Sequence, residues 1–229
     1  MDHGTAGLPA AAEGRHPAGE GPWWCERWWF DWSRPSGDAG FVELALLPNQ
    51  RRAWYRAALI VPGQPLLAVV DHDAPVPRVG LELRSTGLWA DHTVESPFRQ
   101  WTVANEAFAL AVDDPDELTG RAYGTPVPLA FDVEWYAAGP PVPRSPGGTA
   151  GYAQVGEVDG LVDRGGGRRD VLAGTGRRLH EWGPLRLPDA DDRPMADGAP
   201  ARVPDRWPAP FDVVVTDLLG TDGWRRRLG

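Results

Sequence analysis

Within eleven residues, Gly174-Thr175-Gly176-Arg177-Arg178-Leu179-His180-Glu181-Trp182-Gly183-Pro184, the chain gathers small residues, fixed cations, a titratable ring and an aromatic wall. Residues two apart on an extended backbone share a face, so Arg178, His180 and Trp182 are expected side by side. There His180 is a candidate general acid or base, Arg178 a group that orients it or steadies developing negative charge, and Trp182 a cavity wall. The same three also suit a packed role, with Arg178 paired to a carboxylate and Trp182 filling core. His92 beside Asp91 forms a reserve catalytic pair, and His72 stands between Asp71 and Asp73. Neighbours on a strand face opposite ways, so each imidazole needs a partner from another strand. Only convergence of His72, His92 and His180 would let them hold a metal or relay protons. Asp91 or Asp71 is the carboxylate expected near His180.

Signals of other chemistries are missing. No serine lies in a nucleophile elbow, no cysteines are paired at zinc-ligand spacing, and no two histidines lie four apart on a helix, so no metal is expected. Gly174-Thr175-Gly176 superficially opens a dinucleotide fingerprint, but Leu179 holds the third glycine position and no helix-forming segment follows, so it reads as a turn. All 23 basic residues are Arg. Without Lys there is no Schiff-base chemistry and no phosphate-binding-loop lysine. A net charge of −9 disfavours nucleic-acid partners. Cys25 stands alone, which excludes an intrachain disulfide. No apolar run reaches the length of a signal peptide or a membrane span, so a soluble, cytoplasmic protein with no membrane partner is expected. The oligomeric state is left open.

The elements that must position these residues are short. With 28 Gly and 24 Pro, turns interrupt the chain often, and 12 Trp against 4 Tyr and 6 Phe supply a bulky interior. Residues 1–22 have little to bury and are expected to be disordered. From Trp23 to Tyr136 apolar runs alternate with Gly/Pro turns: Arg27 to Trp32, Phe41 to Leu47, Trp54 to Val61, Leu66 to Asp71, Leu81 to Arg84, Leu88 to Val94, Trp101 to Ala104, Phe108 to Val112 and Leu129 to Tyr136. In the last, Phe131, Val133 and Trp135 should face inward and Asp132 and Glu134 outward. About nine such strands predict an all-β, antiparallel barrel over 23–136, because closure removes unpaired edges, with a sandwich as the alternative. The Pro-rich stretch 137–150 reads as a linker, and 151–229 as a second, smaller or incomplete β module with runs at Tyr152 to Val162, Val171 to Ala173, Leu179 to Trp182, Phe211 to Leu218 and Trp224 to Leu228.

Gly174, Gly176, Arg178, His180, Trp182 and Gly183 resemble the Gly-x-Gly-x-Arg-Asp-His-Ser-Trp-Gly pattern of the lipocalin-related superfamily that includes carotenoid 1,2-hydratases (hydroxyneurosporene synthases). Leu179 stands in place of the Asp and Glu181 in place of the Ser. Glu26 to Phe30, Trp54-Tyr55, Asp71-His72, Leu88 to Thr93 and Trp101-Thr102-Val103 resemble an uncharacterised actinobacterial branch of it. The resemblance implies two consecutive lipocalin-like modules and a small hydrophobic ligand, of isoprenoid, polyene or polyketide-like skeleton. That ligand would be carried, or changed by hydration, isomerisation or cyclisation without an organic cofactor. Trp54, Trp89, Trp101, Trp135 and Trp182 are the residues expected to line its cavity. The alternative is a non-catalytic binding or interaction module that keeps the Arg/His/Trp motif for packing.

Overall fold

In the computed structural model, residues 7–36, 38–113, 124–145, 148–165 and 169–185 are described. Eleven strands follow one another: β1 (Trp24–Ser33), β2 (Ala39–Leu47), β3 (Arg52–Ile60), β4 (Leu66–Pro75), β5 (Leu83–Ser85), β6 (Leu88–Ser96), β7 (Gln100–Val112), β8 (Thr125–Ala137), β9 (Val142–Arg144), β10 (Ala150–Asp163) and β11 (Arg169–Pro184). They form one antiparallel sheet in the order β4-β3-β2-β1-β11-β10-β8-β7-β6-β5, with β9 on β10. A further pairing of β4 with β7 turns the path back on itself, so the all-β, antiparallel, barrel-like class expected from the sequence is the one observed.

The ring is pinched at one end and wide at the other. β4 meets β7 over only Leu66↔Val112, Leu67↔Ala111 and Ala68↔Leu110. Beyond Ala68 the two strands part, and β6 takes the free edge of β7 with β5 on its far side. The inward faces are apolar: Trp28, Phe30 and Trp32 from β1, Val42, Leu44 and Leu46 from β2, Tyr55, Ala57 and Leu59 from β3, and Trp101 and Val103 from β7 share one buried cluster. On β8, Phe131, Val133 and Trp135 are buried while Asp132 is exposed and Glu134 partly so, as the period-two reading predicts. Two glycines make close approaches possible. A Cβ at Gly156 would lie 2.3 Å from the Trp135 indole, and one at Gly176 would lie 1.9 Å from the carbonyl oxygen of Asp31.

Three sequence expectations are corrected. First, no boundary divides 23–136 from the strands after it. β10 pairs with β8 from Gly156↔Ala137 to Asp163↔Ala130, and β11 pairs with β1 from Trp24↔Pro184 to Ser33↔Thr175. Second, the Pro-rich stretch is not a linker but an interrupted continuation of β8. Pairing breaks where Pro140 and Pro141 cannot donate, and resumes as β9 along the same edge of β10, at Ala153↔Val142 to Gly151↔Arg144. Gln154 Nε2 holds the gap by donating to the Gly139 carbonyl at 2.7 Å. Third, Gly174-Thr175-Gly176 is not a turn but lies within β11. The runs expected at Phe211 to Leu218 and Trp224 to Leu228 lie outside the described residues.

The N-terminal residues also differ from expectation. Residues 7–22 carry only one short 3-10 turn (Ala10–Glu13), yet they are fastened. Asn49 donates to the carbonyls of Gly19 and Gly21 at 2.9 and 2.8 Å, Gln50 to that of Pro22 at 2.9 Å, and Arg15 to that of Pro77 at 2.9 Å. This segment crosses the wide end and packs Ala12 with Phe98 and Tyr152. Composition alone suggested disorder because its few anchoring contacts are polar and lie far away in sequence. No helix among the described residues is long and apolar enough to cross a membrane.

Candidate functional site

The wide end is built around a buried ion pair. Glu13 comes from the N-terminal segment and Arg178 from β11, and both are almost wholly inaccessible. Arg178 Nη2 donates to Glu13 Oε1 at 2.5 Å and Nη1 to Oε2 at 3.2 Å. The Gln154 side-chain oxygen accepts from Arg178 Nε at 3.0 Å and from Nη2 at 2.7 Å. Glu13 also accepts from Trp101 Nε1 at 2.6 Å and from the Tyr152 hydroxyl at 2.7 Å. The guanidinium lies 5.0 Å from the Trp135 ring centre and 5.1 Å from that of Tyr152, within cation–π reach. A buried charge of this kind is tolerable only because the guanidinium N–H groups and both Glu13 oxygens are answered.

His180 lies beside this network. Its Nδ1 is 3.2 Å from the Tyr152 hydroxyl and its Nε2 is 2.9 Å from Glu26 Oε1, while its ring stacks on Trp28 at 4.6 Å. His16 completes the group: Nδ1 is 2.7 Å from Glu26 Oε1, the backbone N–H donates to both Glu26 oxygens, and the ring stacks on Trp182 at 3.7 Å. Burial holds His180 well below its ordinary pKa, with His16 and Arg178 adding to the effect, so its ring is neutral near pH 7. Burial pushes the Glu26 carboxyl up to about 8, although the His16 N–H and Arg15 oppose it.

Among the other inward-facing side chains several polar atoms are not answered. Trp28, Trp32 and Trp135 Nε1, the Tyr55 hydroxyl, Asn105 Nδ2 and both His92 nitrogens are buried without a hydrogen-bond partner among the described residues. His92 lies 5.7 Å from Phe30 and 6.2 Å from Tyr55, ring centre to ring centre, and burial alone lowers its pKa to about 3.

Arg178 and His180 do share a face with Trp182, whose ring lies 5.0 Å from that of His180. The acidic partners are Glu13 and Glu26, not Asp91 or Asp71. Asp91 accepts from Thr93 at 3.2 Å on the outer side of β6, while His92 points inward, so the two make no pair. Asp71 accepts from Ser85 and from the backbone of Asp73. His72, His92 and His180 do not converge, since His72 lies against Trp54 at 5.3 Å.

Of the tryptophans expected to line a cavity, Trp101 and Trp135 face inward, whereas Trp54 packs with Cys25, Ala45 and Leu47 on the other side of the sheet. Trp89 bonds Glu82 in an exposed position at 3.1 Å. Sequence reasoning missed Trp28, Trp32 and Tyr55, which the i, i+2, i+4 spacing of β1 and the alternation of β3 carry. It also missed Glu13 and His16, for which no local pattern exists, and Glu26, Tyr152 and Gln154, which the two-residue spacing of β1 and β10 places on the buried face.

Searches of curated proteins and of solved structures found no match. A family model described as "Domain of unknown function (DUF7064)" matches residues 9–192, a span that holds both the wide-end network and every described strand. By that match over well more than half its length, the chain belongs to the DUF7064 family.

Proposed function

We propose that this protein binds a small, largely apolar molecule inside its tryptophan-lined barrel, beneath the N-terminal segment that Arg178 and Glu13 hold in place. One observation carries the reading: six interior side chains present polar atoms without partners, and most are donors. An indole N–H can only donate, and the amide nitrogen of Asn105 likewise. Unanswered buried donors are costly, so a group of them facing one interior marks where acceptor atoms belong. The eight strands β1, β2, β3, β4, β7, β8, β10 and β11 form the ring, and a barrel of that size has room for side chains or for one small ligand. The ligand is therefore a hydrophobic skeleton carrying carbonyl or ether oxygens, consistent with the polyketide-like or oxygenated isoprenoid compounds that the lipocalin-related resemblance implies.

Arg178 is a fastener in this reading rather than a catalyst, because its nitrogens are already engaged. Hydration, isomerisation or cyclisation of the ligand is the second reading, favoured by the stacking of His180 on interior Trp28. The net charge of −9 supports a small molecule over nucleic acid as partner.

Mass spectrometry of an organic extract of the purified protein tests the proposal. An apolar, oxygen-bearing compound in near-stoichiometric amount is expected, and Trp32→Phe with Asn105→Leu should weaken its retention at least about tenfold, or ~1.4 kcal/mol. An extract with no such compound, from protein whose tryptophan fluorescence no oxygenated hydrophobic ligand perturbs, would sink it. Turnover of the bound compound that disappears in His180→Ala would establish the second reading.

A further inference from the structure

His16, Glu26 and His180 reach one point from three separate parts of the chain: the N-terminal segment, β1 and β11. One donor atom from each lies within 4.8 Å of the other two. Two imidazole nitrogens and a carboxylate oxygen are the donor set that suits zinc and its first-row neighbours. The rings are held from behind, His180 by Trp28 and His16 by Trp182, so the nitrogens stay aimed at Glu26.

The placement of protons supplies a second argument. Tyr152 has one hydroxyl hydrogen, and its nearest acceptor is Glu13 Oε1 at 2.7 Å. Its oxygen therefore receives, from Arg178 Nη1 at 3.4 Å and from His180 Nδ1 at 3.2 Å. A neutral imidazole with its hydrogen on Nδ1 presents a lone pair at Nε2, and that lone pair faces a carboxylate oxygen 2.9 Å away. Two lone pairs at that distance need a shared proton or a cation between them. The chain from His180 through Tyr152 to Glu13 is the outer hydrogen-bonding that fixes the tautomer of a metal-bound histidine.

We propose that His16 Nδ1, His180 Nε2 and the Glu26 carboxylate form a binding site for a divalent transition-metal ion of the zinc class. Tetrahedral bonds of about 2.0–2.1 Å place donors about 3.3 Å apart, so the present separations of 2.7 and 2.9 Å must open by roughly 0.5 Å. His16, outside any strand, can supply that movement while β1 and β11 stay fixed. The ion would staple the N-terminal segment to the barrel wall. This goes beyond the ligand reading and does not depend on it.

Full-length protein stripped with a chelator is titrated with Co2+ and Zn2+, followed by calorimetry, thermal melting and the visible Co2+ spectrum. One equivalent bound with a dissociation constant below about 1 μM is expected, with a raised melting temperature and Co2+ bands of low coordination number. His16→Ala, at a partly exposed position, should fold normally and weaken binding at least about a hundredfold, while His72→Ala binds as the unaltered chain does. His180→Ala should also lose the ion, and the Co2+ spectrum of the unaltered protein reports the ligand set even if that variant does not fold. No saturable binding of either ion, or binding that survives His16→Ala, overturns the proposal and leaves a proton as the charge shared with Glu26. The apolar-compound extraction is run on the chelated protein, so the two proposals fail separately.

Discussion

The wide end of the barrel and its middle are made from the same kinds of residue: indoles, a tyrosine, an amide, a histidine. At the wide end Trp101, Tyr152, Gln154 and Arg178 converge on Glu13 and one another, and His180 is bonded through both nitrogens. In the middle Trp32, Tyr55, Asn105 and His92 leave polar atoms without partners, as do Trp28 and Trp135 where they border that network. Both regions are equally buried, so burial does not separate them; completion does. A completed network is finished structure, and its value is to fix one arrangement of the N-terminal segment. An incomplete one costs stability in the isolated chain and is retained where something else completes it.

Substitutions at Arg178 should break this contrast most strongly. Arg178→Met leaves Glu13 buried and uncompensated, and is expected to cost about 3–5 kcal/mol in urea unfolding, whereas Arg178→Met with Glu13→Met should recover most of that loss. A single-variant cost under about 1 kcal/mol would show that the pair is not the fastener.

His92 comes next, through pH. Its folded-state pKa is lowered to about 3 by burial, against about 6.5 in the unfolded chain, so only the unfolded chain takes up a proton between those values. Stability present above about pH 6.5 is lost as pH falls toward about 3, at about 1.4 kcal/mol per pH unit. His92→Phe removes that slope. The gap between variant and parent should therefore widen by about 2–3 kcal/mol from pH 6.5 to 4.5, and a constant gap would mean that His92 is answered in solution.

A matched pair of hydroxyl deletions sharpens the comparison with the smallest effects. Tyr152→Phe removes a bonded hydroxyl at the wide end and should cost about 1–2 kcal/mol. Tyr55→Phe removes an unpartnered one in the middle and should change stability by less than about 0.5 kcal/mol, while weakening ligand retention. Equal costs at the two sites would erase the distinction drawn above.

Much of the fold was legible where one face of a strand is wet. β8 alternates cleanly because Asp132 and Tyr136 are exposed, and the motif on β11 announced that Arg178, His180 and Trp182 share a side. Legibility failed where both faces are dry. Every residue of β2 and all but the first of β3 are buried, so nothing in the text told Trp54 from Tyr55, which point to opposite sides. It failed again for Glu13 and Arg178, whose contact joins residues 165 apart, and for the Pro-rich stretch, where proline signals a break in pairing but not whether the chain then leaves the sheet. The site was half visible: Arg178, His180 and Trp182 lie in one motif, while its carboxylates come from β1 and from the N-terminal segment.

The seam between β1 and β11 sets an order of events during synthesis. The chain emerges from its N-terminus, so β1 can pair with β2 at once, but its other edge must wait for the residues up to Pro184. Until then an edge carrying Trp28, Trp29, Phe30 and Trp32 stands open, the kind of strand edge that recruits other chains. Barrel closure across such a sequence separation belongs to the slower, millisecond-to-second class of folding. Glu13 cannot meet Arg178 before that closure, so the N-terminal segment, made first, is fastened only after β11 has been made, and a chaperone that shields the β1 edge should raise the yield of folded protein.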